Sequence, residues 1–93
     1  MTFKTEEEVL LHFMGEGCML DTETGVVYVS DVNDAGEFFG IFESKPVPER
    51  ARNDLDHAID WAYCWPMNEY AAPGWWFGEL AKEVIAHPER FLA

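Results

Sequence analysis

Asp54, Asp56, His57 and Asp60 lie within seven residues in the middle of the chain. Side chains of these types could bind a metal ion or relay a proton. On a helix, His57 and Asp60 would be neighbours at i,i+3, and both side-chain types are zinc ligands. Arg50 and Arg52 precede the cluster, however, and Arg52 lies four residues before Asp56. A solvated, charged helix face explains this pattern more simply, so we predict no metal here.

Nucleophilic catalysis has equally weak support. It requires a cysteine or serine held beside a base, but Cys64 lies between Tyr63 and Trp65 with no histidine nearby in sequence. His12 and His87 fall at predicted helix ends, where a histidine commonly stabilises the last carbonyls. The glycines form neither a dinucleotide-binding fingerprint nor a Walker loop. The sequence therefore predicts a protein that is not an enzyme and that has no cofactor.

Aromatic residues concentrate in the second half of the chain, where seven of them, including all four tryptophans, fall within residues 61–77. Such rings can stack on nucleobases, but stacking platforms lie in positively charged grooves. Core packing explains most of them, and three fit the buried stripes of predicted helices: Trp61, Trp65 and Trp76. Tyr70 and Trp75 lie in or beside a loop, and exposed aromatics are enriched at protein interfaces. We therefore predict that Tyr70 and Trp75 contact a partner.

The charge distribution is the most informative property of the chain. Ten acidic side chains and no Lys or Arg lie between Thr5 and Ser44, in a protein of 93 residues with a formal net charge of −12. Repulsion between like charges destabilises a compact state, so this concentration of acidic residues does not serve folding. Binding to an electropositive partner explains it better. We expect partner-binding carboxylates at helix ends and turns, where side chains stay solvated: Glu6, Glu7, Glu16, Asp21, Glu23, Asp31, Asp34 and Glu37.

The same charge excludes other partners. Binding to nucleic acid requires clustered Lys and Arg to neutralise phosphates, and an anionic membrane surface would repel this chain. We therefore expect neither direct nucleic-acid binding nor membrane binding. The N-terminus has no apolar segment typical of a secretory signal, and two thiols, Cys18 and Cys64, are more simply read as buried and reduced than as a disulfide. These features predict a cytoplasmic protein.

Residues 1–93 are expected to form a single domain, because 48% of the chain is apolar and can fill a small core. Thr5 to Glu8 form a capping box that begins a first helix over about residues 6–14. A hairpin follows, with arms at residues 18–20 and 26–29. Residues 37–43 can be read as a strand or a helix, and Gly36 and Gly40 favour the strand.

Two more helices are predicted in the C-terminal half. Pro48 suits the first residue of a helix, and an apolar stripe runs from there to a break at Pro66. Residues 67–73 are expected to be a loop, and the last helix to begin near Gly74 or Trp75 and to stop at His87. The predicted fold is α+β, with a small three-stranded antiparallel sheet covered on one face by three helices in the order α-β-β-β-α-α.

In size, acidity, single-domain build and lack of a catalytic motif, the chain resembles the small acidic inhibitors encoded by phages and mobile elements. These are anti-CRISPR and anti-restriction proteins that act as DNA mimics. The resemblance carries over no individual residue. It implies an inhibitor that occupies the electropositive, nucleic-acid-binding surface of a target protein complex. An immunity protein or antitoxin that neutralises a basic toxin is the alternative, because its surface would be nearly the same.

Overall fold

Three helices and a five-stranded sheet make up the part of the chain that the computed structural model describes, residues 2–71 and 78–93. The helices and strands follow one another as α1 (Glu6–Met14), β1 (Cys18–Asp21), β2 (Val27–Val32), β3 (Phe38–Glu43), α2 (Leu55–Ala62), β4 (Asn68–Ala71), α3 (Gly78–Ala86) and β5 (Phe91–Leu92). A single 3₁₀ turn, Glu49–Ala51, precedes α2. The α+β class is confirmed.

The sheet differs from its prediction in size and order. Its strands lie in the order β4-β3-β2-β1-β5, and every neighbouring pair is antiparallel. The predicted three-stranded sheet and the order α-β-β-β-α-α are wrong, because two edge strands, β4 and β5, were assigned to a loop and to the tail. β4 (Asn-Glu-Tyr-Ala) shows no alternation of polar and apolar residues, and β5 has only two residues, so neither carries a period-two pattern.

Helices cover both faces of the sheet, which corrects the prediction that one face would be covered. Successive strand residues point to opposite faces, and in β1 Met19 belongs to one buried cluster while Leu20 belongs to the other. The first cluster contains buried residues of α1 and α3, and the second contains those of α2 and the 3₁₀ turn. The central strands are therefore buried on both faces.

The first helix follows its prediction closely. It spans Glu6–Met14, and the Thr5 side chain accepts a hydrogen bond from the amide of Glu8 at 3.2 Å. The Glu8 carboxylate in turn accepts from the Thr5 hydroxyl at 3.4 Å and from the amide of Lys4 at 3.3 Å. The capping box is thus confirmed, and the three glutamates of the first turn lie at the positive end of the helix dipole.

The second helix begins later than predicted. Instead of one helix from Pro48, the chain makes the 3₁₀ turn and then starts α2 at Leu55. The interruption is set by Asp54, whose side chain accepts from the amide of Asp56 at 3.0 Å. Short polar side chains favour such caps over helix interiors because they compete for backbone amides.

The last helix ends where it was predicted to end. The predicted start near Gly74 or Trp75 lies outside the described residues, but α3 ends at Ala86, just before His87 and Pro88. Residues 37–43 contain strand β3, which confirms the strand reading. The tail packs back onto the domain, and Phe91 is only 4% exposed in the first cluster.

Two turn glycines provide a matched test of the fold. Both have a left-handed backbone, with φ 81 at Gly25 and 82 at Gly36. A Cβ at Gly25 would lie 2.5 Å from Arg52 Nε and 2.7 Å from the carbonyl oxygen of Val47, whereas nothing lies within 4 Å at Gly36. Gly36→Ala should cost about 1 kcal/mol of unfolding free energy from backbone strain alone, and Gly25→Ala about 3 kcal/mol because crowding adds to it. Equal losses in urea unfolding would contradict the crowding at Gly25.

Candidate functional site

The turn between β2 and β3 displays carboxylates on a fixed backbone. Asn33 Oδ1 accepts hydrogen bonds from the amides of Ala35 at 3.0 Å and Glu37 at 2.9 Å. Asn33 Nδ2 donates to Glu37 Oε1 at 3.1 Å, and the amide of Gly36 donates to the carbonyl of Asn33. Asp34 and Glu37 are both exposed on this turn. A short network of hydrogen bonds therefore holds these charges outward.

Two further carboxylates lie at the same end of the sheet. Glu16 is exposed and follows α1 in a left-handed conformation, φ 64. Ser30 Oγ donates to the carbonyl of Gly17 at 2.9 Å, which ties the α1–β1 connection to the end of β2. Asp31, near the end of β2, is half-buried, which corrects the expectation that it is fully solvated. We call this set the acidic end: Glu16, Asp31, Asp34 and Glu37. None of its members forms an ion pair within residues 2–71 and 78–93.

Glu6 and Glu7 are also solvated, as predicted, but they form a separate group. Both are exposed in the first turn of α1. A helix of nine residues is about 13 Å long, so these glutamates are separated by most of that length from Glu16, which follows the other end of α1. The predicted carboxylates therefore do not converge on one spot.

Asp21 contradicts the expectation of a solvated side chain. It is 2% exposed, and Arg90 binds both of its oxygens, with Nη2 at 2.6 Å from Oδ2 and Nε at 2.8 Å from Oδ1. Asp21 Oδ1 also accepts from the amides of Glu23 and Thr24. This carboxylate joins β1 to the tail of the chain. It is not available to a partner, because folding already uses both of its oxygens.

Glu23 and Arg90 extend the same network to the surface. Glu23 Oε2 lies 3.5 Å from Arg90 Nε, and its side chain is 72% exposed. Arg90 also reaches Glu83 Oε2 at 2.9 Å. Glu23 lies in the β1–β2 turn, at the opposite end of the sheet from the acidic end, because Cys18 pairs with Val29 and Leu20 with Val27. Its charge is partly neutralised there.

The two aromatic residues predicted to contact a partner are not confirmed as exposed anchors. Tyr70 is half-buried, and its ring meets that of Tyr28 edge-on at 5.3 Å between centroids. It packs against the first buried cluster, and burial raises the pKa of its hydroxyl. Tyr70 therefore supports the core, which corrects the expectation that it is exposed, whereas its contact with a partner stays a prediction. Trp75 lies outside the described residues.

Aromatic rings are exposed instead at the end of α2. Tyr63 is 64% exposed and Trp65 56%, which corrects the prediction that Trp65 belongs to a buried stripe. The small residues Ala58 and Ala62 make the buried contact of this helix. Because α2 ends at Ala62, Trp65 leaves the helical register that would have turned it inward.

A notch of about 140 Å³ opens between this aromatic surface and the segment that follows β3. We call it the Trp notch, defined by its lining residues Lys45, Pro46, Val47, Pro48, Trp61 and Trp65. Its wall is rigid, because the amide of Val47 donates to the carbonyl of Gly25 at 2.9 Å and Arg52 Nε donates to the carbonyl of Val47 at 2.9 Å. The two prolines restrict the backbone further.

Two cations border the Trp notch. Lys45 Nζ lies 5.5 Å from the ring centre of Trp65, and Arg50 Cζ lies 5.1 Å from that of Trp61. Both basic residues are exposed, and neither forms an ion pair in the part of the chain that the structure describes. The sequence signal for this site is the Lys-Pro-Val-Pro run together with tryptophans four residues apart. The same spacing of tryptophans also predicts a buried helix stripe, and that prediction concealed the site.

The remaining candidates for chemistry do not assemble into a site. Among the described residues, no group of three or more His, Cys, Asp or Glu side chains could hold a metal ion. Both cysteines are free thiols, and Cys64 is exposed, which corrects the expectation of two buried thiols. His12 Nε2 hydrogen-bonds the carbonyl of Cys18 at 2.8 Å, a structural contact that helps to fix the α1–β1 connection.

No protein-family model matches this chain, and no curated protein or solved structure is detectably similar to it. The resemblance to small acidic inhibitors therefore rests on size, acidity and build. No helix in residues 2–71 and 78–93 has the length and apolarity that a membrane span needs. Two surface features remain as candidates for function, namely the acidic end and the Trp notch.

Proposed function

We propose that this protein is a binding protein, not an enzyme, and that its acidic end occupies an electropositive surface of a partner protein. The partner surface is a nucleic-acid-binding one, as in the DNA-mimic inhibitors that the chain resembles. In this proposal the protein acts in the cytoplasm, where the exposed thiol of Cys64 stays reduced. Inhibition follows because the acidic protein and the nucleic acid compete for the same basic residues.

The acidic end carries this proposal. Three exposed carboxylates, Glu16, Asp34 and Glu37, project from a turn and a connection that are held by hydrogen bonds of 2.9 to 3.1 Å. The fourth, Asp31, is half-buried in β2. The basic residues Lys82 and Arg90 are paired with acids elsewhere, and Lys45 and Arg50 lie over tryptophan rings. A rigid group of like charges without counter-ions repels itself and gains energy only when a positive surface approaches.

The dimensions of the molecule support a duplex-like partner surface. The longest dimension is 34 Å, about one turn of DNA. A duplex carries about one negative charge per 1.7 Å of its axis, and this chain carries exposed carboxylates both at the acidic end and on the first turn of α1. Acidic groups at two places on one small domain can therefore contact two parts of a surface that binds phosphates.

Reversing the charge of the acidic end should weaken partner binding far more than reversing the same number of charges elsewhere. We expect the triple variant Glu16→Lys, Asp34→Lys and Glu37→Lys to associate with its partner about 10- to 100-fold more slowly at low salt, because surface charge steers encounter. Affinity capture from cells that make the protein, followed by kinetics on the captured partner, measures this. Single Ala substitutions should be mild.

The matched control reverses three exposed acids that lie outside the acidic end and away from the Trp notch: Glu69, Glu79 and Glu89. It changes the net charge equally, so position is the difference between the two variants. Equal effects of the two triple variants would mean that net charge alone matters and would contradict the proposal. Affinity that stays constant between about 50 and 500 mM salt would also contradict it, because exposed charges are screened over that range.

A further inference from the structure

The Trp notch combines one exposed and one half-buried indole ring with the positive charges of Lys45 and Arg50. Trp65 is 56% exposed and forms one wall. Lys45 lines the notch and lies over the Trp65 ring, and Arg50, outside the lining, lies over the Trp61 ring. This local chemistry is opposite in charge to the acidic end, in a protein whose net charge is −12. The surface therefore offers a second candidate binding site, which differs from the acidic end in charge and in its aromatic lining.

We propose that the Trp notch binds a segment of a partner protein that inserts one apolar side chain between Trp61 and Trp65 and places a neighbouring carboxylate beside Lys45 and Arg50. The inference does not rest on the acidic end, because it concerns different residues. It assigns the notch to an acidic peptide segment of a partner.

The volume and walls of the notch define the inserted group. Its volume is about 140 Å³, close to that of a cavity of about 150 Å³ that holds one benzene molecule. One aromatic or large aliphatic side chain therefore fits, and a drug-sized ligand does not. Two indole rings, two prolines and Val47 supply apolar contact, and the hydrogen-bonded Val47 segment needs little reorganisation on binding.

The border of the notch defines the charge of the segment. Lys45 and Arg50 form no ion pair among the residues placed by the structure, so their donors can bind a carboxylate. At physiological salt, charges more than about 8 Å away are largely screened. For a ligand seated in the notch, Lys45 and Arg50 therefore act more strongly than the distant acidic end. The acids that they must offset are Asp60, beside Trp61, and Glu49, which precedes Arg50.

A second copy of this chain is a weaker candidate for the occupant. The β2–β3 hairpin does offer suitable chemistry, because Phe39 is 47% exposed and lies near Asp34 and Glu37 in sequence. Each copy has a net charge of −12, however. Where salt does not screen it, Coulomb repulsion scales with the product of the charges, so it is about sixfold smaller for a peptide of charge −2 than for a second copy.

Three short peptides test the proposal directly: Ac-Gly-Glu-Phe-Glu-Gly-NH2 and its counterparts with Gln or Lys in place of Glu. Binding is followed by the indole N–H signals of Trp61 and Trp65 in NMR titrations at about 150 mM salt. We expect the Glu peptide to bind at least about tenfold more tightly than the Lys peptide, with the Gln peptide between them. Equal affinities, or no binding of the Glu peptide at millimolar concentration, would overturn the proposal.

Variants of the protein separate the apolar and the charged contributions. Trp65→Ala should weaken binding of the Glu peptide about tenfold or more while leaving the melting temperature nearly unchanged, because the ring is exposed. The double variant Lys45→Glu and Arg50→Glu should reverse the preference between the Glu and Lys peptides. Lys82→Glu, a charge reversal on α3 away from the notch, is the control and should change neither affinity.

The oligomeric state tests the competing occupant. We expect the wild-type protein to sediment as a monomer at micromolar concentration. A dimer or larger species that is lost in both Phe39→Ser and Trp65→Ala would show that the hairpin of a second copy fills the notch. That result would overturn assignment of the notch to a different partner.

Discussion

Asp21→Asn is expected to lower the free energy of unfolding by about 3 kcal/mol, because Arg90 loses its one buried carboxylate partner and keeps only the exposed carboxylates of Glu23 and Glu83. Arg90 loses the carboxylate that binds it at 2.6 and 2.8 Å. The Asp21 side chain is 3% exposed and that of Arg90 is 21% exposed, so the loss should lie at the lower end of the range for such pairs. Urea unfolding at neutral pH measures it.

Glu23→Gln provides the control for this prediction. It removes a second carboxylate from the same guanidinium, but that side chain is 72% exposed and lies 3.5 Å from Arg90 Nε. Exposed pairs typically contribute less than about 1 kcal/mol. If Asp21→Asn costs no more than Glu23→Gln, the buried pair does not stabilise the fold as described.

The effect of Asp21 should also depend on pH. Burial raises the pKa of this carboxyl, but hydrogen bonds from Arg90 and from the amides of Glu23 and Thr24 outweigh burial and leave the pKa below its usual value. A carboxyl with a lowered pKa in the folded state stabilises the fold above its unfolded pKa of about 3.9. The stability difference between wild type and Asp21→Asn should therefore be constant near neutral pH and shrink as the pH falls below about 4.

Phe13→Ala should be the most destabilising single truncation on α1, with a loss of about 3 to 5 kcal/mol. Phe13 is 0% exposed and lies in the cluster that joins α1 to α3 and the sheet. Leu11→Ala on the same helix is the control, because that side chain is 56% exposed, and it should cost less than about 1 kcal/mol. Similar losses for the two variants, measured by urea unfolding, would contradict the packing of α1.

Local signals in the sequence were sufficient for the elements that they determine directly. The capping box at Thr5 specifies the start of α1 because its hydrogen bonds join residues three apart. The β1–β2 hairpin follows from a β-branched strand and a glycine in the left-handed region. These elements depend on contacts within a few residues, so the pattern of residue types alone predicts them.

The edge strands and the two-sided burial of the sheet depend on distant contacts. β5 has two residues and exists because Leu20 and Asp21 lie beside Leu92 and Phe91. Nothing within a two-residue segment predicts such a pairing. The unbroken apolar run at residues 26–29 did carry a signal, since a strand covered on both faces needs no alternation of polar and apolar residues.

The sequence predicts that acidic side chains lie on the surface, but not which of them are paired or which aromatic rings are exposed. The solvated carboxylates at Asp34 and Glu37 follow from turn residues in a polar loop. Asp21 could not be distinguished from them, because its partner Arg90 is 69 residues away in sequence. The exposure of Trp65 depends on where α2 ends, and a shift of a few residues at a helix end turns a side chain from core to solvent.

Competition with nucleic acid tests the central claim most directly. The protein is titrated into its captured partner while the partner holds a labelled DNA or RNA duplex, and release of the label is measured. We expect complete displacement at a stoichiometric amount of wild-type protein, and little displacement by the acidic-end variant Glu16→Lys, Asp34→Lys and Glu37→Lys. A complex in which the partner binds this protein and the nucleic acid at the same time would contradict the claim, and it would favour an immunity protein or antitoxin that inhibits a basic toxin without displacing its substrate.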